Sequence, residues 1–231
     1  MKFAKAFLLI IVSGMLLIST SASAQDITLK ITIVEGSVLV KISPQTEWVD
    51  AKVDQALNAK DCIKTLDNGR VYLEFPDKSS ISLKPKTEIS VEDLLWEEAS
   101  RKVGISLSSG DLKVIMKKAE GPSEFIVKTP NAICGAHGST IFLGYLIDTT
   151  SVYSNDSDLD LTYSATGEMR QIGAGTPIGI GPNGFFQLGT PPDTLGFLPD
   201  LVAEPYTPAP GGEVVDIAAP EAIADSAASQ I

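Results

Sequence analysis

Residues 125–143 read FIVKTPNAICGAHGSTIFL, and the fold turns on how that stretch divides. Phe125 and Val127 alternate with polar neighbours as a strand does, and Thr129-Pro130 breaks the run. Proline has no N–H to give a β-ladder, and glycine reaches backbone angles closed to other residues. Gly135-Ala136-His137-Gly138 therefore predicts a glycine-studded turn, after which Thr140-Ile141-Phe142-Leu143 returns to strand. The stretch is a sharp corner between two buried strands.

Outward from that corner the same grammar repeats. Ile27, Leu29, Ile31 and Ile33 alternate, Gly36 punctuates, and Val38, Val40 and Ile42 continue on one face. Residues 44–58 form a polar connection, and Cys62-Ile63-Lys64-Thr65 and Val71, Leu73 and Phe75 flank Asp67-Asn68-Gly69. That tripeptide is hairpin chemistry, because Asn-Gly tolerates positive φ. Ile81 and Leu83, Ile89 and Val91, Val103, Ile105 and Leu107, then Leu112, Val114 and Met116 each alternate between turn signals, with Ser109-Gly110-Asp111 read as one such turn. Tyr145 and Ile147 continue the strand after Thr140, Leu159, Leu161 and Tyr163 alternate, and residues 179–201 read as an irregular Gly/Pro-rich closing segment. No helical period interrupts. The fold class is all-β: many short antiparallel strands in a sandwich, jelly roll or β-solenoid.

Both ends differ in character. Lys2 and Lys5, the apolar residues 6–18 and Ala22-Ser23-Ala24 make the three parts of a secretory signal peptide over residues 1–24. The apolar run is shorter than the roughly 20 residues a membrane span needs. From residue 202 onward, Pro, Ala, Gly and acidic residues predict a low-complexity acidic tail, disordered or loosely helical near its end. Residues 25–201 remain as one domain. The net charge of −11 excludes nucleic acid, whose phosphates call for a basic surface. Export makes the pair Cys62 and Cys134 candidates for a disulfide, the alternative being two small buried hydrophobes.

The ordered punctuation resembles the FecR-domain family. The residues that carry it are Gly36-Ser37-Val38-Leu39-Val40, Asp61-Cys62-Ile63-Lys64-Thr65, Gly69-Arg70-Val71-Tyr72-Leu73-Glu74-Phe75 with Asp77-Lys78-Ser79, and Leu107-Ser108-Ser109-Gly110-Asp111-Leu112. Thr129-Pro130-Asn131-Ala132, Gly135 to Thr140 and Gly173-Ala174-Gly175 complete the series. The resemblance makes Thr129, Pro130, Gly135, His137, Gly138 and Thr140 the family-signature corner. His137 stands where the family places arginine, and Ser139 is inserted before Thr140. Sensor members carry a membrane span ahead of the domain, whereas the signal peptide here marks a stand-alone exported relative, periplasmic or extracellular.

Catalytic chemistry finds little footing. His137 is the single histidine, and Cys134 and Ser139 beside it form no triad with it. Asp156, Asp158 and Asp160 space like the start of a calcium loop, but the sixth and twelfth positions are Leu161 and Gly167 instead of glycine and glutamate. They read instead as a solvated hairpin turn. Trp48, Trp96 and Tyr145 fit a ligand groove and Phe185-Phe186 a partner contact, the alternative for all of them being a core. Adjacent Glu97-Glu98 cannot face each other as glycosidase carboxylates do. No catalytic, cofactor or metal residue is assigned. The expectation is an exported, non-catalytic FecR-like binding module for an envelope protein or surface polysaccharide, in signalling or regulation. The other reading is a structural or assembly protein of the envelope.

Overall fold

A computed structural model describes residues 28–97, 100–117, 123–136 and 140–191. The expected signal peptide, the tail and residues His137, Gly138 and Ser139 lie outside the described residues. What is described is all-β and without a helix, so no helix there is long and apolar enough to cross a membrane.

The strands are β1 Leu29–Glu35, β2 Val38–Lys41, β3 Val49–Asp50, β4 Ala56–Leu57, β5 Cys62–Thr65, β6 Arg70–Glu74, β7 Ser80–Leu83, β8 Glu88–Glu97 and β9 Ser100–Ile115. The second half adds β10 Ser123–Lys128, β11 Ala132–Ala136, β12 Thr140–Leu146, β13 Thr149–Ser154, β14 Leu159–Tyr163, β15 Met169–Ile172, β16 Ile178–Gly181 and β17 Gly184–Gln187. Pairing arranges them in two sheets. The first runs β4-β1-β6-β7-β9-β12-β13-β16-β17. The second runs β3-β2-β5-β8-β9-β10-β11-β14-β15.

Only β9 belongs to both. Its first part pairs with β8 and β10, and its last part with β7 and β12. The sheets face each other over one core that takes Leu73, Ile81, Val114 and Leu143 from the first and Ile63, Ile105, Val127 and Leu161 from the second. Period-2 alternation is what lets each strand present one apolar face to that core.

The connections fall into two kinds, and the sequence does not separate them. Asp67-Asn68-Gly69 is not a hairpin: β5 and β6 lie in different sheets and do not pair, so the tripeptide carries the chain across the sandwich. Ser109-Gly110-Asp111 is no turn either. β9 runs through it, and Gly110, at φ +88°, is the point where the strand passes between sheets. A Cβ there would sit 2.4 Å from Thr87 Oγ1, so the crossing admits only glycine. Lys84 to Thr87, between β7 and β8, and Gly36, between β1 and β2, cross on the same side. The parallel pairing of β10 with β9 then reverses the scheme. In the second half that side carries hairpins, and the crossings at 155–158 and 173–177 fall on the opposite side.

Three further expectations change. Gly135 and Ala136 lie within β11, so the glycine-studded turn does not begin there. The strand expected to run through Ile147 ends at Leu146, because Ile147 and Asp148 take φ +47° and +55° to make the β12–β13 hairpin. Within the closing segment, β16 and β17 form a regular hairpin around Pro182-Asn183.

Candidate functional site

The signature corner is a closed hydrogen-bond knot. Thr129, 8% exposed, ends β10 and takes the N–H of Ala132 on its hydroxyl at 3.0 Å. Its own hydroxyl lies 2.7 Å from that of Thr150, fully buried on β13. The Thr150 hydroxyl donates to Asn131 Oδ1, and Asn131 Nδ2 donates to the carbonyls of Asp148 and Ile180, both at 2.8 Å. One asparagine thus ties the β10–β11 turn in the second sheet to β13, its hairpin and β16 in the first. Pro130 lies exposed beside it, Gly135 pairs with Asp160, and Thr140 starts β12 with its N–H on Asp156 Oδ1 at 3.0 Å. The signature residues are therefore spread along β10, β11 and β12, and those described join no reactive cluster.

The same side of the first half is closed in the same way. Thr65 and Thr87, 3% and 0% exposed, replace ladder bonds that the crossings break. Thr65 Oγ1 donates to Lys84 O at 2.6 Å and accepts Thr87 N at 2.9 Å. Thr87 Oγ1 accepts Asp111 N at 3.0 Å and donates to Asp111 O at 3.1 Å. Buried backbone groups left unpaired are costly, and a β-branched hydroxyl residue fits a strand end while supplying both donor and acceptor.

On the opposite side, Asp77 Oδ2 receives Arg101 Nη1 at 2.6 Å between side chains only 15% and 19% exposed. Asp77 Oδ1 takes Ser79 N, and Ser79 Oγ takes Lys117 N, both at 2.9 Å. Asp156 and Asp158 do not form the solvated hairpin expected of them. They sit in a crossing between β13 and β14, and their carboxylates accept the N–H groups of Thr140 and Ala174 at 3.0 and 3.3 Å. Among the described residues no group of His, Cys, Asp or Glu is arranged to hold a metal.

Cys62 and Cys134 are free, not bridged. They occupy opposite faces of the second sheet, since Ile63 turns inward beside Cys62 while Cys134 itself lines the core. The β5-β8-β9-β10-β11 order separates them by four strand steps, about 19 Å, against the 4.4–6.8 Å that a disulfide needs between Cα atoms. Burial pushes the Cys134 thiol up to about 12, with Asp160 adding to the shift. Burial also raises Cys62. Neither is poised as a thiolate nucleophile.

The aromatics do not converge on one groove. Trp48 lies half-buried under the ammonium groups of Lys41 and Lys64, 4.9 and 4.1 Å from the ring centroid, on the outer face of the second sheet. Tyr145 packs on the interior core at the end of β12, and Phe185 packs there from β17.

The open surface lies at the end of the sandwich. Among the described residues β15 pairs with β14 alone and β17 with β16 alone. Tyr163 N donates to Glu168 O at 2.9 Å, which fixes the hydrogen-bonded pairs of the β14–β15 ladder as 163/168, 161/170 and 159/172. The N–H and C=O of Met169 and Gln171 therefore point away from β14. Met169 is 72% exposed, and Arg170 guards the end by laying its guanidinium 4.6 Å from the Phe185 ring centroid across the two sheets. At the other end β3 and β4 are two residues each, too short to template much. The alternating pattern gave no means of telling which strand would be an edge.

Fold and seams together define a two-sheet β-domain in which Thr129, Asn131 and Thr150 tie the sheets together. Residues 61–158 match the family described as FecR protein. β15 and β17 lie beyond that match. No curated protein matches the chain. Two solved structures, each a "putative anti-sigma factor from Parabacteroides distasonis ATCC 8503", at 1.65 and 2.50 Å, are similar at 13% identity and TM-score 0.47. The match covers 56% of this chain, and the chain spans 60% of the length of theirs.

Proposed function

We propose that this FecR-domain chain is an exported, non-catalytic regulatory module that binds a protein of the cell envelope by accepting a strand along β15. The observation that carries the reading is the outward backbone of Met169 and Gln171, an edge with no strand partner among the described residues. An added strand gains main-chain hydrogen bonds there, while the exposed Met169 offers apolar contact. The signal-peptide pattern of residues 1–24 supports export. The family match supports a regulatory rather than an enzymatic role, as does the use of Thr129, Asn131 and Thr150 in internal bonds.

The test is capture of residues 25–231 from the native envelope under mild cross-linking, run beside the variant Gln171→Pro. Proline at 171 removes an outward N–H and leaves the β14 ladder alone. The expected result is a stoichiometric protein partner, cross-linked near 169–172, that the variant loses. Equal capture by both chains would overturn the β15 site. Loss on deleting residues 204–231 alone would move binding to the tail and the chain to an assembly role.

A further inference from the structure

Leu146 and Ile147, 71% and 86% exposed, stand side by side at the tip of the β12–β13 hairpin. The pairing of Leu146 with Thr149 leaves Ile147 and Asp148 as a two-residue loop, and both take positive φ, +47° and +55°. Such a loop favours Asn-Gly or Asp-Gly, residues that enter the left-handed region at little cost. A β-branched isoleucine fits it poorly. The hairpin therefore gives up turn stability to hold a large apolar side chain where it is most exposed. Strain of this kind persists only where the surroundings fix it, and it gathers at sites that bind.

The surroundings do fix it. Asn131 Nδ2 donates to the Asp148 carbonyl at 2.8 Å, and the Tyr145 hydroxyl donates to Asp148 Oδ1 at 3.3 Å. Ser164 N donates to Asn131 O at 3.0 Å, and the Tyr163 hydroxyl donates to Pro182 O. The turn before β11 and the hairpin tips at 147–148, 164–167 and 182–183 are thus tied into one end of the sandwich. Residues 130–131, 146–149, 164–167 and 182–183 carry one charged side chain, Asp148, and no cationic one, in a chain of net charge −11. Pro130, Ala165 and Pro182 on the same loops are exposed as well.

We propose that this end seats on a lipid bilayer, with Leu146 and Ile147 entering the boundary between headgroups and acyl chains. Charge selects the occupant. A tip that is apolar, backed by loops that are polar but almost uncharged, complements a layer of zwitterionic headgroups. It also turns toward that layer the part of an acidic chain that anionic groups repel least. Two aliphatic side chains on a rigid tip gain by burial alone, which a fluid lipid supplies without a shaped pocket. The seat uses the hairpin tips and not the outward backbone of β15, so it stands or falls apart from the strand-acceptance reading.

The test is flotation of residues 25–231 with phosphatidylcholine vesicles at low and at high salt. Binding is expected at both, and it should weaken when anionic phosphatidylglycerol is mixed in. Ile147→Asn suits the turn better, so it should unfold at the same or a higher urea concentration, yet bind vesicles roughly tenfold less. Leu146→Ser leaves the two central turn residues alone and should also lower binding severalfold. Gln171→Pro should bind vesicles as the parent does. No vesicle binding by the parent, unchanged binding by either tip variant, or binding that requires anionic lipid or low salt would each overturn the membrane seat. An envelope protein captured by the parent and lost in Ile147→Asn, with no vesicle binding by either, would overturn it in favour of a protein contact at the tip.

Discussion

The Thr129–Asn131 knot and the β15 edge are built from the same kind of backbone, a strand meeting a turn, and they end oppositely. At the knot each exposed ladder group finds a side chain, with Asn131 alone serving two carbonyls and two hydroxyls. At β15 the backbone of Met169 and Gln171 faces outward with no described partner. Buried threonines close the seams, whereas β15, like β17, has a strand partner on one side only among the described residues, and the proposed strand acceptance uses the β15 edge, outside the family signature.

Breaking the knot should produce the largest effect on stability. Asn131→Ala strands the buried Thr150 hydroxyl and the carbonyls of Asp148 and Ile180, and a loss of about 3 kcal/mol in urea unfolding is expected. Thr87→Val keeps the shape but drops both bonds to Asp111, so about 2 kcal/mol should go.

The Cys134 thiol sharpens the same point from the core side. Its folded value is raised from 9.0 to about 12, so the folded state favours the neutral thiol. That contribution is complete below about 9 and is lost as pH rises from there toward about 12. Stability followed across this window should fall less steeply in Cys134→Ala, and alkylation of native protein near neutral pH should leave Cys134 unmodified.

Gln171→Pro should be the mildest on stability, within about 0.5 kcal/mol, because it alters an exposed edge position. It should nevertheless abolish partner capture. If instead it unfolded the domain, or if Asn131→Ala left stability unchanged, the division between closed seam and open edge would fail.

Much of the architecture is visible in the sequence, for a specific reason. Ile31, Val71, Leu73, Val103, Ile105 and Leu161 alternate because each strand buries one face, and periodicity reports that directly. It does not report which sheet a strand joins. Asp67-Asn68-Gly69 has the chemistry of a hairpin and the role of a crossing, because β5 and β6 find other partners. The β12–β13 hairpin escapes notice because Ile147 takes a left-handed angle that β-branched residues rarely adopt. The sequence marks Thr129-Pro130-Asn131-Ala132 as a motif, but it does not show that Asn131 and Thr150 bond across the two sheets. Their partners lie 17 to 49 residues away.

Backbone hydrogen exchange on residues 25–231, alone and with the captured partner, tests the central contrast most directly. The account predicts slow exchange at Thr87, Asp111 and Ala132 in both states, and fast exchange at Met169 and Gln171 that slows when the partner binds. Slow exchange at Met169 and Gln171 in the free chain, or no change on binding, would contradict it.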